Sequence, residues 1–585
     1  MGSVDGRWSF VIKLSRFLKP YRAAVAAVLG FVFLQTIAEL SLPTLMADII
    51  NTGVMKGDTN YIWHVGGRML LVAGGSAIAA VLVSYLSARV ASGFGRDLRG
   101  RVFSRVESFS LHEFDKIGTA TLITRTTNDI TQVQMVTVMI LRMMVMAPIM
   151  AIGGTILAVS RDGSLSLILV VSVPLLAGVI ALLASRAIPL FTLMQTKLDK
   201  LNRVLREGLT GIRVIRAFDR VDYERRRFEE ANRDLTATAI RVNRILAILF
   251  PVLMLTMNFT SIAIVWFGGI RIDNGHLAIG DMMAFIQYAM QIMFSLVMVS
   301  MMFVMIPRAE ASAVRVNQIL ETAPEINDPS RPASATGQRG RVEFKDVTFG
   351  YAGAEQPALS HISFRAEPGQ VTAVIGGTGS GKTSLISLIP RFYDVDSGQV
   401  LVDGVDVREM TQEELRAKIG FVPQKAVLFT GTIADNIRYG KETATDEEVR
   451  RAAEVAQATE FISGMKDGYD SEIAQGGTNV SGGQKQRLSI ARALVRKPEV
   501  YVFDDSFSAL DFKTDSRLRH ALRKETADAT VLIVTQRVST VMDADQIIVL
   551  DEGKIAGIGR HKELLTTCPV YREIVSSQLS EEEMA

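Results

Sequence analysis

Six long apolar segments constrain the fold of this chain more than any other feature. They lie near residues 23–47, 69–88, 138–159, 164–188, 244–269 and 280–305 of the 585-residue sequence. Each segment is about as long as a helix must be to cross the hydrocarbon core of a bilayer. Because lipid offers no hydrogen-bond partners, such segments have to be helical. The sequence therefore predicts a membrane all-α domain with six spans over residues 1–321.

The charges between the spans indicate their orientation. The gaps after the first, third and fifth spans are short, whereas the gaps after the second and fourth are long and rich in Lys and Arg. The positive-inside rule places the long gaps, and with them both termini, in the cytoplasm. We also expect a helix on the membrane surface over residues 7–20, where aromatic and basic residues mix. The net charge of +3 is too small to indicate a nucleic-acid partner, and a single cysteine excludes an internal disulfide.

The two long gaps have the pattern of helices rather than of loops. Past Pro189 they contain no proline, and apolar residues recur in them at helical spacing. We therefore expect the membrane helices to extend into the cytoplasm and to turn at two tips, near residues 112–115 and 213–218. An exposed aromatic at such a tip suits a ball-and-socket contact, and simple packing within a helix hairpin is the alternative.

The second half of the chain has a different composition. Residues 322–340 are rich in Pro, Ala, Ser and Gly and are predicted to be a linker, and residues 341–585 alternate strand and helix patterns. An apolar run at 371–375 leads into a glycine-rich loop of the form GxxxxGK[ST], a phosphate-binding loop. The loop consists of Gly376, Gly377, Thr378, Gly379, Ser380, Gly381, Lys382 and Thr383. The sequence thus predicts an α/β domain that binds a nucleoside triphosphate.

The chemistry of the loop favours ATP with Mg²⁺. Backbone N–H groups would surround the phosphates at the positive end of a helix. Lys382 would reach the outer phosphates, and Thr383 together with Asp504, at the end of an apolar strand, would hold Mg²⁺. Tyr351, 25 residues ahead of the loop, could stack on adenine. A second anion-binding helix start is predicted at Ser481, Gly482, Gly483 and Gln484.

Three further motifs resemble those of ABC transporter ATPases. The residues VSGGQ at 480–484 resemble the signature motif, FVPQ at 421–424 the Q-loop, and SALD at 508–511 the D-loop. With the six spans, the whole chain resembles an ABC exporter half-transporter. The resemblance implies two ATPase domains that close head to tail, so that residues 481–484 of one chain complete the site of the other. It also implies that Gln424 joins the Mg²⁺ ligands and that the two cytoplasmic tips are coupling helices.

Two departures from the family pattern bear directly on hydrolysis. Asp505 stands where the family normally has a glutamate that activates water, and Gln536 stands where it usually has a histidine. The shorter side chain sets the carboxylate back by roughly 1–1.5 Å. A displacement of about 1 Å can cost on the order of 100-fold in rate. We therefore expect Asp505 and Gln536 to form a weakly hydrolytic site whose ATP-binding residues are intact.

A signature that is intact apart from Val480, where leucine is usual, beside a weakened hydrolytic site favours a heterodimer. The partner would be a homologous half-transporter with the glutamate and the histidine in place. This arrangement resembles the heterodimeric exporters of bacterial plasma (inner) membranes, many of which resemble multidrug pumps. The expected function is ATP-driven export of amphipathic or hydrophobic compounds. A homodimer, a lipid flippase, a peptide or siderophore exporter, and an ATP-gated channel or sensor are the alternatives.

The spans themselves contain polar and polarisable residues. Methionines concentrate in the third, fifth and sixth spans, and flexible thioethers suit a cavity for varied apolar ligands as well as ordinary packing. Polar groups in a span generally face a bundle interior or a wet cavity. Those in or near the spans are Gln35, Glu39, Asn258, Gln287 and Gln291. Among them, Glu39 could attract cationic substrates or could equally lie near the outer interface.

Overall fold

The computed structural model describes residues 14–333 and 339–579 and contains two compact units. The first unit comprises Met1–Glu107 and Gly118–Thr322, and the second comprises Ser108–Ile117 and Ala323–Ala585. The surface helix expected over residues 7–20 lies mostly outside the described residues. Its described end continues into a 3-10 helix at Ser15–Tyr21.

The first unit is entirely helical. Its helices are α1 (Arg22–Asp48), α2 (Thr59–Glu107), α4 (Thr119–Thr124), α5 (Ile130–Arg161), α6 (Leu167–Thr210), α7 (Ile212–Ala217), α8 (Val221–Asp273) and α9 (Ile279–Glu321), while α3 (Leu111–Ile117) belongs to the second unit. Short π-helical turns at Ile49–Val54 and Arg125–Asp129 extend α1 and precede α5. Within the described residues, six helical stretches are long and apolar enough to cross a membrane, which confirms the six spans.

Most of these helices are much longer than a bilayer is thick. The longest, α8, has 53 residues and is therefore roughly 80 Å long. The hydrocarbon core accounts for only about 30 Å of that length. The prediction that the membrane helices continue well beyond the bilayer is therefore confirmed. Short helices stand at the two expected tips, α3 at the first and α7 at the second.

Apolar packing and a few polar bonds hold the first unit together. Helices α1, α2, α5 and α9 pack on one another, whereas α6 and α8 pack chiefly on each other. Phe285 and Tyr288 of α9 are fully buried in a cluster that also includes residues of α1, α5, α6 and α8. The Tyr288 hydroxyl lies 2.5 Å from Thr44 Oγ1 of α1, and Asn51 Oδ1 accepts the Gly280 N–H at 2.8 Å. Helices α1 and α9 are thus joined by hydrogen bonds as well as by packing.

Ion pairs fasten both ends of the bundle. At the end of α5, Arg161 lies 2.7 Å from Asp281, and the buried Asp162 accepts from Arg271 Nε at 2.5 Å. At the opposite end of α5, Arg315 of α9 donates to both carboxylate oxygens of Asp129. Each pair links residues more than one hundred positions apart, so the pairs fix the packing of distant helices.

The second unit is an α/β domain built on two main sheets. Its strands are β1 (Val342–Phe349), β2 (Leu359–Ala366), β3 (Val371–Gly376), β4 (Ser397–Val402), β5 (Val405–Asp406), β6 (Ile419–Val422), β7 (Gly431–Thr432), β8 (Glu472–Ile473), β9 (Val500–Asp504), β10 (Thr530–Val534), β11 (Gln546–Asp551) and β12 (Lys554–Gly559). One sheet is antiparallel, with strand order β2-β1-β4-β5. The other has the order β12-β11-β3-β10-β9-β6 and is parallel except for β12.

Helices cover these sheets. They are α10 (Lys382–Ser387), α11 (Gln412–Ala417), α12 (Ile433–Arg438), α13 (Asp446–Val455), α14 (Thr459–Ser463), α15 (Gly482–Leu494), α16 (Phe512–Glu525), α17 (Val538–Val541), α18 (His561–Thr567) and α19 (Pro569–Ser576). The central strands β3, β9 and β10 are almost completely buried, as expected for parallel strands covered on both faces. The lone cysteine, Cys568, is buried in this unit.

The described part of the predicted linker packs on the second unit. Ile326 is buried, and the Ala333 N–H donates to Glu409 O at 2.9 Å. Residues 334–338 lie outside the described residues. The described part of this Pro-, Ala-, Ser- and Gly-rich segment therefore has fixed contacts, although its composition is that of a linker.

Candidate nucleotide-binding site

The glycine-rich loop joins β3 to α10, as its sequence predicts. Gly379 and Gly381 have φ values of 83° and 95°, in the left-handed region that side-chain-bearing residues avoid. A Cβ at Gly377 or Gly379 would meet no atom within 4 Å. The loop thus has the backbone geometry and the open space that phosphate oxygens require.

Lys382 lies over this loop. Its Nζ donates to Gly376 O at 2.9 Å and to Gly377 O at 2.6 Å. Burial lowers the pKa of Lys382, whereas the charges of Asp505 and Asp504 raise it. The ammonium group is bonded mainly to loop carbonyls that phosphate oxygens can replace, so it is placed to bind an outer phosphate.

Thr383 and Asp504 form a pair of oxygen ligands. Thr383 Oγ1 donates to Asp504 Oδ1 at 3.2 Å, and Asp504, at the end of β9, is 4 % exposed. Burial raises the pKa of Asp504, and the Thr383 bond opposes that change. A hydroxyl and a carboxylate are hard oxygen donors of the kind Mg²⁺ prefers, so these residues fit the ion. Bound there, Mg²⁺ would neutralise charge on the outer phosphates.

Gln424 connects the Q-loop to two neighbours. Its side chain lies near enough to Asp505 to oppose the rise in the pKa of that carboxyl, and its carbonyl oxygen accepts from Gln486 Nε2 of α15 at 2.8 Å. The Q-loop therefore touches both the candidate catalytic carboxylate and the helix that follows the signature residues.

Tyr351 presents a partly open aromatic ring. The side chain is 43 % exposed, and its hydroxyl lies 2.9 Å from Ser384 Oγ in α10. The ring packs edge-on against Phe349 at a centroid distance of 5.0 Å. One part of the ring is thus fixed next to the phosphate-binding helix, while the exposed part can stack on a base.

Asp505 occupies an unusual backbone conformation directly after β9. Its φ is 43°, and its N–H donates to Val534 O at 2.8 Å, at the end of β10. Burial raises the pKa of Asp505, opposed by hydrogen bonds to Ser508 and Gln424 and by the charge of Arg537. The backbone at Asp505 is therefore held in a fixed position, and burial makes the carboxyl a stronger base than an exposed aspartate.

Gln536 follows β10, close in sequence to Val534. Its carbonyl oxygen accepts from Gln578 Nε2 at 2.7 Å, and the Val538 N–H donates to Gln578 Oε1 at 2.9 Å. The sequence gives no signal for Gln578, which lies 42 positions further along the chain. Arg537, which donates to Ser508 O at 2.7 Å, adjoins Gln536 and could have been considered from the sequence.

The signature residues begin α15. Ser481 is its N-cap, and a capping box joins Ser481 to Gln484 in both directions. A Cβ at Gly482 would meet no atom within 4 Å, whereas one at Gly483 would lie 3.1 Å from Ala509 O of the D-loop. The capped, 13-residue helix presents free space at its positive end. The capping bonds of Ser481 and Gln484 are with each other.

The structure brings most of the predicted site residues into one cluster. Lys382, Asp504 and Asp505 are close enough for their charges to affect one another, Thr383 bonds Asp504, and Gln424 lies close enough to Asp505 to affect its pKa. The arrangement can bind phosphates, hold a divalent cation and position a base beside them.

Comparison with known proteins identifies both halves of the chain. Residues 25–296 match the family model of the ABC transporter transmembrane region, and residues 359–508 match the ABC transporter model. An uncharacterized ABC transporter ATP-binding protein of Mycobacterium tuberculosis is 45% identical over 569 residues, 97% of either chain. A fatty acid ABC transporter ATP-binding/permease protein of Mycobacterium bovis is 34% identical over 477 residues, 82% of this chain and 75% of the relative.

The fold agrees with these matches. The structure of a bacterial Atm1-family ABC exporter with ATP bound superimposes with a TM-score of 0.81 at 27% identity, covering 96% of this chain and all of that one. Six spans, an ATPase domain with a formed phosphate loop, and relatives of nearly full length lead to one assignment. The chain belongs to the ABC transporter family and is an ABC exporter half-transporter, a transport ATPase with one membrane domain and one nucleotide-binding domain.

Proposed function

We propose that this chain is one half of a heterodimeric bacterial exporter and that its own Walker site hydrolyses ATP slowly. The observation that carries the proposal is Asp505, a carboxylate one methylene shorter than the family's glutamate. Its backbone is fixed by the N–H bond to Val534 O and by the Ser508 hydroxyl, which donates to Asp505 O at 2.8 Å. A backbone held at both its N–H and its carbonyl oxygen has little freedom to bring the carboxylate forward by the roughly 1–1.5 Å that it lacks.

The binding half of the same site is complete. Lys382 and the loop amides would bind the phosphates of ATP, Thr383 and Asp504 would hold Mg²⁺, and Tyr351 would stack on adenine. Gln536 can donate a hydrogen bond to an outer phosphate but cannot become a cation as histidine can. The site is therefore suited to bind ATP and to hydrolyse it more slowly than a site with the glutamate and the histidine in place.

The signature of this chain would serve the partner's site. Ser481, Gly482, Gly483 and Gln484 begin a capped helix with free space before it, which suits an ATP held by the Walker residues of a second chain. A partner with the family's glutamate and histidine would then supply the fast site. Both termini and the ATPase domain would be cytoplasmic, and the spans would lie in the bacterial plasma membrane.

The second cytoplasmic tip supports assembly with another chain. Helix α7 has no buried residue, and Val214 and Phe218 are 61 % and 73 % exposed. Apolar side chains at the end of a long cytoplasmic hairpin lose contact with water only if something binds them. We infer that this tip docks on the ATPase domain of the partner.

The exported compounds would be amphipathic or hydrophobic. In the first unit, Gln35 Nε2 donates to Glu39 Oε1 at 2.9 Å, and Gln291 Nε2 donates to Glu39 O at 3.4 Å. Of the span methionines, Met293 is 1 % exposed whereas Met254 and Met290 are 49 % and 39 % exposed, so part of this set packs and part is open. An acidic group in an otherwise apolar span suits a lipophilic cation.

A lipid-like acid is the second candidate substrate, because a relative that covers most of the chain carries the name of a fatty acid transporter. Uptake into inside-out vesicles separates the two. ATP-dependent accumulation of a cationic dye supports the first candidate, and accumulation of a fluorescent fatty acid supports the second. Downhill flux without ATP turnover would indicate a channel instead.

The heterodimer is tested by measuring ATPase activity of the chain alone and after co-purification with a half-transporter encoded by a neighbouring gene. The proposal predicts little activity alone and at least tenfold more per dimer in the pair. Brisk activity of the chain alone would refute it, since Asp505 would then be a competent base in a homodimer.

A further inference from the structure

A short segment from between two membrane helices belongs to the ATPase unit. Helix α3 is held there by two hydrogen bonds that span long stretches of sequence. Tyr393 donates its hydroxyl proton to Asp115 Oδ2 at 3.1 Å, and the Glu325 N–H donates to Glu113 Oε1 at 3.1 Å. Glu113 is 6 % exposed and also accepts the N–H and hydroxyl of Ser110, at 2.7 and 2.6 Å.

These two hydrogen bonds, which anchor α3, differ in whether their partners contact the nucleotide site. Glu113 accepts hydrogen bonds from Ser110 and from the Glu325 N–H. Neither partner belongs to the nucleotide site, so this anchor is independent of that site. Tyr393 instead belongs to an aromatic cluster that includes the candidate base-stacking ring. Its ring centroid lies 5.5 Å from those of Phe349 and Tyr351.

The cluster extends to the phosphate loop. Tyr351 contacts Phe349 edge-on, at 5.0 Å, and its hydroxyl bonds Ser384 in α10, two residues after Lys382. Ring centroids 4.5–7 Å apart interact with a preferred geometry. The position of one ring therefore restricts the others, and a continuous set of contacts runs from the phosphate-binding helix through Tyr351 and Tyr393 to Asp115.

We propose that Tyr393 is a positioning residue through which an adenine base stacked on Tyr351 fixes helix α3. The inference rests on the proposed function, because it requires ATP at this site. A bound base would restrict the Tyr351 ring, which is 43 % exposed, and so restrict the Tyr393 ring packed against it. The Tyr393 hydroxyl would then stay aligned on Asp115, and α3 would be held more firmly when the nucleotide is present.

The chemistry of the Tyr393–Asp115 bond suits this role. Burial, and next the charge of Asp115, raises the pKa of Tyr393. The hydroxyl therefore remains protonated and acts as a donor toward Asp115 throughout the physiological pH range. A hydrogen bond to a charged group contributes on the order of tenfold or more to an equilibrium, so its alignment can change how often α3 detaches.

Hydrogen–deuterium exchange of the peptide covering residues 108–117 tests the inference, using the full chain in lipid nanodiscs. The non-hydrolysable analogue adenosine 5′-(β,γ-imido)triphosphate with Mg²⁺ should slow exchange of this peptide about tenfold in the unmodified chain. The corresponding uridine analogue, whose smaller base stacks less, should slow it less. Nucleotide binding is measured on the same samples.

Three variants sharpen the test. Tyr393→Phe keeps the ring and removes the donor, Asp115→Ala removes the acceptor, and both should bind the nucleotide yet lose most of the nucleotide-induced protection. The double variant should lose no more than either single one. Tyr439→Phe is the matched control, because Tyr439 is 68 % exposed in the same unit and stacks on Phe429 instead.

The outcomes are distinguishable. Failure of the unmodified chain to bind the analogue would refute the proposed nucleotide site itself. Binding with the same nucleotide-induced protection in Tyr393→Phe as in the unmodified chain would overturn only the inference. If Tyr393→Phe raised exchange equally with and without nucleotide, the bond to Asp115 would be merely structural, and the inference would also fall.

Discussion

Replacing Asp505 by glutamate tests most directly why this chain's own site is slow. The substitution adds one methylene and advances the carboxylate by roughly 1–1.5 Å. No other group of the site changes, since Lys382, Thr383 and Asp504 keep their positions. Because a misplacement of about 1 Å costs on the order of 100-fold in rate, we expect kcat to rise about 10- to 100-fold, or up to ~2.7 kcal/mol in the barrier.

The backbone conformation at position 505 makes the substitution unfavourable for folding, although it should raise kcat. Asp505 has φ 43°, and aspartate tolerates the left-handed region better than most residues. Glutamate there should lose up to roughly 1 kcal/mol of folding free energy. Asp346 has a similar φ of 50° on the surface of the same unit, so Asp346→Glu measures the backbone cost without altering the site.

The assay is ATPase activity of the purified chain in lipid nanodiscs at saturating MgATP, with ATP binding and thermal stability measured in parallel. Asp505→Glu should raise kcat, Asp346→Glu should leave it unchanged, and Asp505→Asn should lower it further. A kcat that does not rise in Asp505→Glu, with ATP binding and folding intact, would refute the reasoning, because carboxylate distance would then not limit the rate.

Four other measurements follow from the site. Tyr351→Ala should raise KM for ATP about tenfold or more through lost base stacking, while Tyr351→Phe should change it less than about threefold, and equal effects would argue against stacking. Burial raises the pKa of Asp505, so this base becomes protonated at a higher pH than an ordinary aspartate. The acid limb of the ATPase pH profile should therefore have its midpoint above the ordinary pKa range of aspartate, and a midpoint within that range would contradict the prediction. Gln578→Ala removes the two bonds that Gln578 makes to the loop around Gln536 and should lower kcat about tenfold at constant KM, whereas a change confined to KM would be contrary. Glu39→Gln should reduce ATP-dependent uptake of a cationic dye into inside-out vesicles but not of a neutral one, and equal loss of both would exclude a charge effect.

The parts of the fold that are local in sequence could be predicted. Long apolar runs give the spans, because a bilayer admits few alternatives. The phosphate loop could be recognised because strand, glycines, lysine and helix are contiguous, and the strand that ends at Asp504 is a short buried run. The ends of the two cytoplasmic hairpins were placed correctly for a similar reason, since a helix that lacks proline continues until its pattern breaks.

Contacts between distant positions could not be predicted. Gln578 contacts Gln536 across 42 residues of sequence, and Asp115 contacts Tyr393 across 278. Single polar residues in helices or loops form no sequence pattern that would show which of them are paired. The backbone conformation of Asp505 was likewise hidden, because its φ depends on where β9 and β10 end relative to each other. The sequence therefore identified the chemical groups of the site but not the side chains that fix their positions.

The ATPase unit consists of two separate pieces of the chain, and this limits what can be removed from it. The ten residues Ser108–Ile117 reach it only from the cytoplasmic end of α2. A soluble fragment beginning at Ala323 would leave the Tyr393 hydroxyl and the Glu325 N–H facing water. During biosynthesis this segment is made before any strand of the domain, and it lies between two membrane helices. The complete ATPase unit can therefore form only in a chain that retains this part of its membrane half.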